Sequence, residues 1–203
     1  MHPYFDIPRP HLFGHRGASA EAPENTIPAF TRALERGVPY LELDCHATRD
    51  GEIVILHDAE LERTTDGEGL VSERSFAELE RLDAGYRFSP DGHSFPFRAC
   101  GVRVPRFSEV LAAFSGVHLN LEVKQGMVER LLVQDGRVEG VETNLGDQYR
   151  AYAVIITTGT FLKGLIHVGL SHYPSGRAGE FPSVGLSDNL RDLGFEMGRL
   201  KTG

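Results

Sequence analysis

The chain has 203 residues, 40% of them hydrophobic and 25% charged, which excludes intrinsic disorder and fibrous repeats and leaves room for a packed core. Its net charge of −8 divides into −7 over residues 1–125 and −1 over residues 126–203, so neither part is basic enough to hold nucleic acid by electrostatics. The charge-free run from Ala151 to Leu162 falls short of the roughly 20 residues a spanning helix needs, and the N-terminus lacks a basic and apolar leader pattern, so a cytoplasmic protein with no membrane span is expected.

Over the first 125 residues, short apolar runs alternate with helical patterns, the rhythm of βα units around a parallel sheet. Strands are expected at Leu12–His15, Tyr40–Cys45, Ile53–His57 and Val117–Val123. Between the first two, Thr26–Arg36 puts Ile27, Phe30, Ala33 and Leu34 on one helical face, with Gly37 as the stop. Ser75 followed by Glu78 reads as a capping box opening a helix over Phe76–Leu82, and Ser108–Phe114 reads as another. The Pro- and Gly-punctuated stretch Gly85–Pro105 reads as a long loop. Cys45 and Cys100 are too few and too far apart for a disulfide framework or a paired-cysteine zinc site.

After Gln125 the texture changes. Val128–Val133 and Val138–Thr143 flank Asp135-Gly136, a strong hairpin signal. Gln148–Ala153 leads into the β-rich run Val154–Thr158, Gly-rich loops follow from Gly159, and Leu186–Leu193 reads as a helix stopped by Gly194.

Polar residues fall at the ends of the expected strands: His15-Arg16-Gly17, Glu42-Leu43-Asp44, His57-Asp58 and Glu122-Val123-Lys124. In a βα barrel those ends converge on the face where active sites sit. Residues i and i+2 of a strand point the same way, so Glu42 and Asp44 share one small volume. Like charges forced together need a proton or a hard cation, and Glu42, Asp44 and Glu122 read as oxygen ligands for Mg²⁺ or Ca²⁺. Arg16 and Lys124 suit a phosphate at the same rim, and His15 and His57 can supply acid and base near neutral pH.

His15-Arg16-Gly17, Ala22-Pro23-Glu24-Asn25-Thr26, Glu42-Leu43-Asp44, Thr48-Arg49-Asp50-Gly51, His57-Asp58, Arg63-Thr64-Thr65 and Glu122-Val123-Lys124 together resemble the glycerophosphodiester phosphodiesterases, over residues 11 to about 125. The resemblance implies a TIM barrel, a divalent cation on Glu42, Asp44 and Glu122, and His15 with His57 as acid/base pair. It also implies Glu24 and Asn25 at the substrate rim and a glycerophosphodiester as substrate. The barrel needs eight strands and about 250 residues, so this part corresponds to half of one. Exposed half-barrel edges would favour self-association.

The remainder resembles a second family, the FAD-dependent large subunit of the tRNA wobble-uridine carboxymethylaminomethyl-modifying enzyme. Val128–Leu131, Gly140–Thr143, Thr157–Leu162, Ile166–Gly169, Gly176–Glu180 and Gly198–Gly203 carry that likeness. It implies Gly159 and Thr160 near a flavin nucleotide, although the G-x-G-x-x-G fingerprint is missing. The expected fold is therefore α/β: an incomplete TIM barrel half over residues 1–125, then a β-meander and loop segment of a dinucleotide-binding flavoprotein fold over residues 126–203. Three functions follow as alternatives: a metal-dependent phosphodiesterase, a flavin-binding fragment of a tRNA-modifying enzyme, and a chimeric chain without activity.

Overall fold

A computed structural model describes residues 10–124, 127–177 and 182–199. The chain forms two compact units, Met1–Gln125 and Gly126–Gly203.

The first unit is organised around strand β2 (Tyr40–Ala47), all eight residues of which are buried. Two shorter strands share one of its edges in tandem. Strand β1 (Phe13–His15) pairs parallel with the first half, Tyr40 to Glu42, and strand β3 (Ile53–Ile55) pairs antiparallel with the last, Cys45 to Ala47. Strand β4 (His118–Val123) lines the opposite edge in parallel, from Tyr40 to Cys45. The expectation of a purely parallel sheet therefore fails at β3. Only Thr48–Glu52 separate β2 from β3, and a parallel crossover needs a dozen or more residues, so the chain can only fold back on itself. Gly51, at φ 81°, makes that reversal.

Helix α1 (Ile27–Glu35) connects β1 to β2. Thr26 caps it by accepting from the Ala29 N–H, Pro28 stands in the first turn where no hydrogen bond is lost, and Gly37 follows at φ 78°. The helix buries Ala29, Phe30 and Ala33, and the Phe30 ring meets Phe114 edge-on at 5.9 Å. Gly17 brings the β1–α1 turn against this helix: any Cβ there would lie 2.6 Å from the Ala29 backbone, at a φ of 80°.

The excursion between β3 and β4 carries a core of its own. Val54, Leu61, Val71, Phe76, Leu79 and Val104 pack together, with Leu82 and Phe97 against them. Helix α2 (Phe76–Leu79) is shorter than expected, though its Ser75–Glu78 capping box forms. Helix α3 (Phe107–Ala113) precedes β4. The loop Gly85–Pro105 has no regular element, and Arg98 stacks over Phe95 and Tyr86, at 3.8 and 4.3 Å from the ring centroids.

In the second unit, β5 (Val128–Gln134), β6 (Arg137–Thr143) and β7 (Gln148–Arg150) form an antiparallel meander. Asp135 and Gly136, both at positive φ, make the first turn as expected. Helix α4 (Gly185–Asp192) is tied to β5 by Asn189, whose Oδ1 accepts from the Leu131 N–H. Two expectations are corrected here. Val154–Thr158 is not a strand: it pairs with no described strand and leaves Ile155 and Ile156 exposed. The Gly-rich stretch read as loop contains a second hairpin, β8 (Leu165–Val168) with β9 (Ser171–Pro174), turning at Gly169. Gln125 and Gly126 at the expected junction, Ala178–Glu180 and Leu200–Gly203 lie outside the described residues.

Candidate active site

Strand register stacks the candidate residues in layers. Across β1, β2 and β4, Phe13, Tyr40 and His118 stand opposite one another; His15, Glu42 and Asn120 form the next row; Asp44 and Glu122 form the one after. Because side chains alternate, all of these share one face of the sheet, while Leu41, Leu43, Leu119 and Leu121 take the other. The first row is an aromatic floor, with Phe13 stacked on Tyr40 at 4.6 Å and His118 tilted against it at 5.0 Å. The carboxylates stand directly above.

Glu42, Asp44 and Glu122 each present an oxygen within 4.8 Å of the others. Burial raises the Glu42 carboxyl above its ordinary range, against the pull of the Arg16 N–H that donates to it at 2.9 Å; the Asp44 charge adds to the rise. Asp44 is almost fully buried and held on all sides. Asn25 donates from Nδ2 to Asp44 Oδ2 at 2.9 Å and accepts the Asp44 N–H on Oδ1 at 3.2 Å. Arg16 Nε lies 3.2 Å from Oδ2, and Lys124 Nζ lies 3.1 Å from Oδ1 and 2.7 Å from Glu122 Oε1. Asp44 Oδ1 nevertheless has no aligned hydrogen-bond donor. A buried carboxylate oxygen without a donor, facing two more carboxylates, fits a hard divalent cation.

His15, at the end of β1, has a mostly exposed side chain with Nε2 3.9 Å from Glu42 Oε2. Arg16 and Asn25 both adopt left-handed backbone, at φ 57° and 58°, a conformation costly for non-glycine residues that concentrates at functional sites.

His57 reaches its place differently from the expected parallel strand end, because it follows the antiparallel β3. The Leu56 N–H donates to Asp44 O, the His57 carbonyl meets His46 Nε2 at 3.0 Å, and His57 Nδ1 contacts Asp58 Oδ1 at 2.5 Å. Burial depresses the His46 pKa, against the opposing pull of the His57 carbonyl.

The sequence places Asp58 among the strand-end polar residues and Arg63 only in the motif run, and gives neither a role. They connect the site. Arg63 is hydrogen-bonded to Asp58 through Nε and forks onto both oxygens of Glu24, at 2.9 and 2.7 Å. Glu24 also accepts from Arg16 at 3.1 Å, so a chain of polar contacts runs from His57 through Asp58, Arg63 and Glu24 to Arg16 and Asp44. The Arg63 hydrogen bond holds the Asp58 carboxyl down at about 2. Burial opposes ionisation of Glu24, but Arg63 and Arg16 outweigh it and hold that carboxyl below its usual range. The readable signal was an arginine five residues after an acid in a motif-dense segment.

In the second unit, Gly159 has a φ of 53° and the Thr160 hydroxyl donates to the Gly176 carbonyl at 2.6 Å. That hydroxyl is therefore engaged within the chain itself.

The glycerophosphoryl diester phosphodiesterase family matches residues 15–152, past Gln125 and through β5 to β7. Among solved structures, the glycerophosphodiester phosphodiesterase of Agrobacterium tumefaciens is 36% identical with a TM-score of 0.52, covering 57% of this chain and 47% of its own. A phosphodiesterase from Oleispira antarctica, in complex with sn-glycerol-3-phosphate as product, is 38% identical with a TM-score of 0.51, covering 57% and 44%. The tRNA uridine 5-carboxymethylaminomethyl modification enzyme MnmG of Geobacter sulfurreducens is 64% identical over 84 residues, 41% of this chain and 13% of that enzyme. The chain thus spans less than half of the phosphodiesterases and a small part of the modification enzyme, a combination consistent with a chimera of the two. Among the described residues no helix is long and apolar enough to cross a membrane.

Proposed function

Since the chain belongs to the glycerophosphoryl diester phosphodiesterase family, we propose that its first unit hydrolyses glycerophosphodiesters to glycerol 3-phosphate and an alcohol. The observation that carries this reading is the shared sheet face on which β1, β2 and β4 align His15, Glu42, Asp44 and Glu122. The product in the Oleispira antarctica structure supports the substrate class.

A Mg²⁺ or Ca²⁺ ion held by Glu42, Asp44 and Glu122 would neutralise charge growing on the phosphoryl oxygens. Arg16 and Lys124 are the cations available to orient the phosphate, and both are already anchored on the carboxylates they flank. A glycerol hydroxyl attacks phosphorus and gives up its proton to one histidine; the alcohol leaves with a proton from the other; water then opens the cyclic phosphate. Asp58, fixed by Arg63, engages His57 Nδ1 and leaves Nε2 free for proton transfer. Glu24 and Asn25 act as supports: Glu24 spans the two arginines and Asn25 grips Asp44 on both sides.

The test is glycerol 3-phosphate release by the purified full chain with Mg²⁺ or Ca²⁺. Turnover abolished in Glu42→Gln and His15→Ala is expected, and a folded chain inert with both ions overturns the reading.

The 64% identity to a tRNA-modification enzyme favours a second reading for the other unit, a flavoprotein-derived segment with Gly159 and Thr160 on the cofactor side. It predicts a flavin absorbance spectrum after incubation with FAD; a colourless chain rejects it.

A further inference from the structure

The β8–β9 hairpin places two histidines face to face. Its two-residue turn, Gly169-Leu170, puts glycine at φ 60° in the position where a type II′ turn requires positive φ. Val168 and Ser171 close the turn, and the next opposed pair is His167 and His172. Hydrogen-bonded and non-hydrogen-bonded pairs alternate along an antiparallel ladder. The second pair after a two-residue turn is of the closer kind, with Cα atoms about 4.5 Å apart. Both side chains are exposed, and their ring centroids lie 5.6 Å apart.

The base of the hairpin is fixed. The Ser175 N–H donates to the Gly164 carbonyl at 3.0 Å, and the Thr160 hydroxyl donates to Gly176. Gly164 is so closely enclosed that a Cβ would come within 2.4 Å of the Thr160 and Ser175 carbonyls. The pair is therefore presented by backbone held at both ends, the turn above and these bonds below.

We propose that His167 and His172 form a two-imidazole chelate for a divalent transition metal of the Ni²⁺ and Zn²⁺ class. An ion at about 2.0–2.1 Å from a histidine nitrogen stands about 3 Å from that ring's centroid. Rings that share one ion have centroids about 5 Å apart on a tetrahedral Zn²⁺ and about 4.5 Å apart on cis positions of Ni²⁺, so two exposed rings at 5.6 Å and a 36° tilt reach either arrangement by side-chain rotation. The remaining positions face solvent and are open to water. Imidazole selects these borderline metals, whereas the all-carboxylate group of Glu42, Asp44 and Glu122 suits Mg²⁺ and Ca²⁺, so the two sets differ in the ions they prefer.

The experiment is calorimetric titration of the untagged full chain with Ni²⁺, beside His167→Ala, His172→Ala and Glu42→Gln. The second imidazole binds at high effective concentration, so each histidine variant is expected to lose about tenfold or more in affinity for one Ni²⁺ equivalent. Glu42→Gln should leave that equivalent in place. Far-UV circular dichroism unchanged from wild type shows that the exposed substitutions leave the fold intact. Ni²⁺ binding that survives His167→Ala, or that responds to only one of the two histidines, overturns the chelate.

Discussion

Replacing Asp44 by asparagine keeps the shape of the side chain and removes its charge, which isolates what that charge does. Arg16 Nε at 3.2 Å and Lys124 Nζ at 3.1 Å lose a partner that is 1% exposed. Breaking a buried ion pair from one side costs about 3–5 kcal/mol. Arg16 retains Glu24 at 3.1 Å and Lys124 retains Glu122 at 2.7 Å, both in more solvated positions. With those partners retained, the expected loss falls to or below the bottom of that range, about 2–3 kcal/mol. With a urea slope of about 2 kcal/mol per molar, the unfolding midpoint should fall by about 1 M or more. Glu42→Gln is the internal comparison: burial already disfavours the charge of Glu42, and an amide oxygen can still accept from the Arg16 N–H. Its midpoint should stay within a few tenths molar of wild type. Urea titrations followed by far-UV circular dichroism decide between them, and equal midpoints for the two variants would refute the view that Asp44 is the charge on which the neighbouring cations depend.

Two more outcomes follow from groups with displaced pKa values. Asp58 is lowered from an ordinary 3.8 to about 2, first by its hydrogen bond from Arg63, so the stability it adds is complete above pH 4 and disappears as pH falls towards 2. Arg63→Ala should lower stability at neutral pH and flatten the decline across that window; a variant with the wild-type pH profile of unfolding refutes the linkage. Burial pushes the Cys45 thiol up to about 12, whereas Cys100 is exposed, so a thiol-reactive disulfide at pH 8 should label one cysteine in the native chain and both in denaturant. Two rapidly labelled thiols would contradict the closed packing around β2.

Local signals in the sequence were legible where the chain needs only its neighbours. Thr26 and Gly37 bound α1, the Ser75–Glu78 box opens α2, and Asp135-Gly136 turns β5 into β6 because each device acts within one turn of backbone. The common side of Glu42 and Asp44 was equally readable, since alternation along a strand is geometric. The direction of β3 was missed although Asp50-Gly51 offers the same turn dipeptide as Asp135-Gly136; the apolar run that follows carries no sign of direction. Val154–Thr158 shows the opposite failure. Its β-branched residues favour a strand, but strand formation depends on a neighbour, and none of the described strands pairs with it. The Arg63–Glu24 link was out of reach for a third reason: it joins residues 39 positions apart, and side-chain pairing at that range has no local signature.

Lys124 gives the carboxylate group a counter-ion of its own. With its ammonium between Asp44 and Glu122, and Arg16 on the other side of Asp44, the acidic residues are partly neutralised by the chain itself. Folding of this unit consequently does not have to wait for metal, unlike small domains whose ligands come together only around the ion. Metal capture by the proposed site would be an exchange, in which a divalent cation displaces a tethered monovalent one. Under the proposed metal-dependent hydrolysis, a chelator would stop turnover and leave the architecture standing.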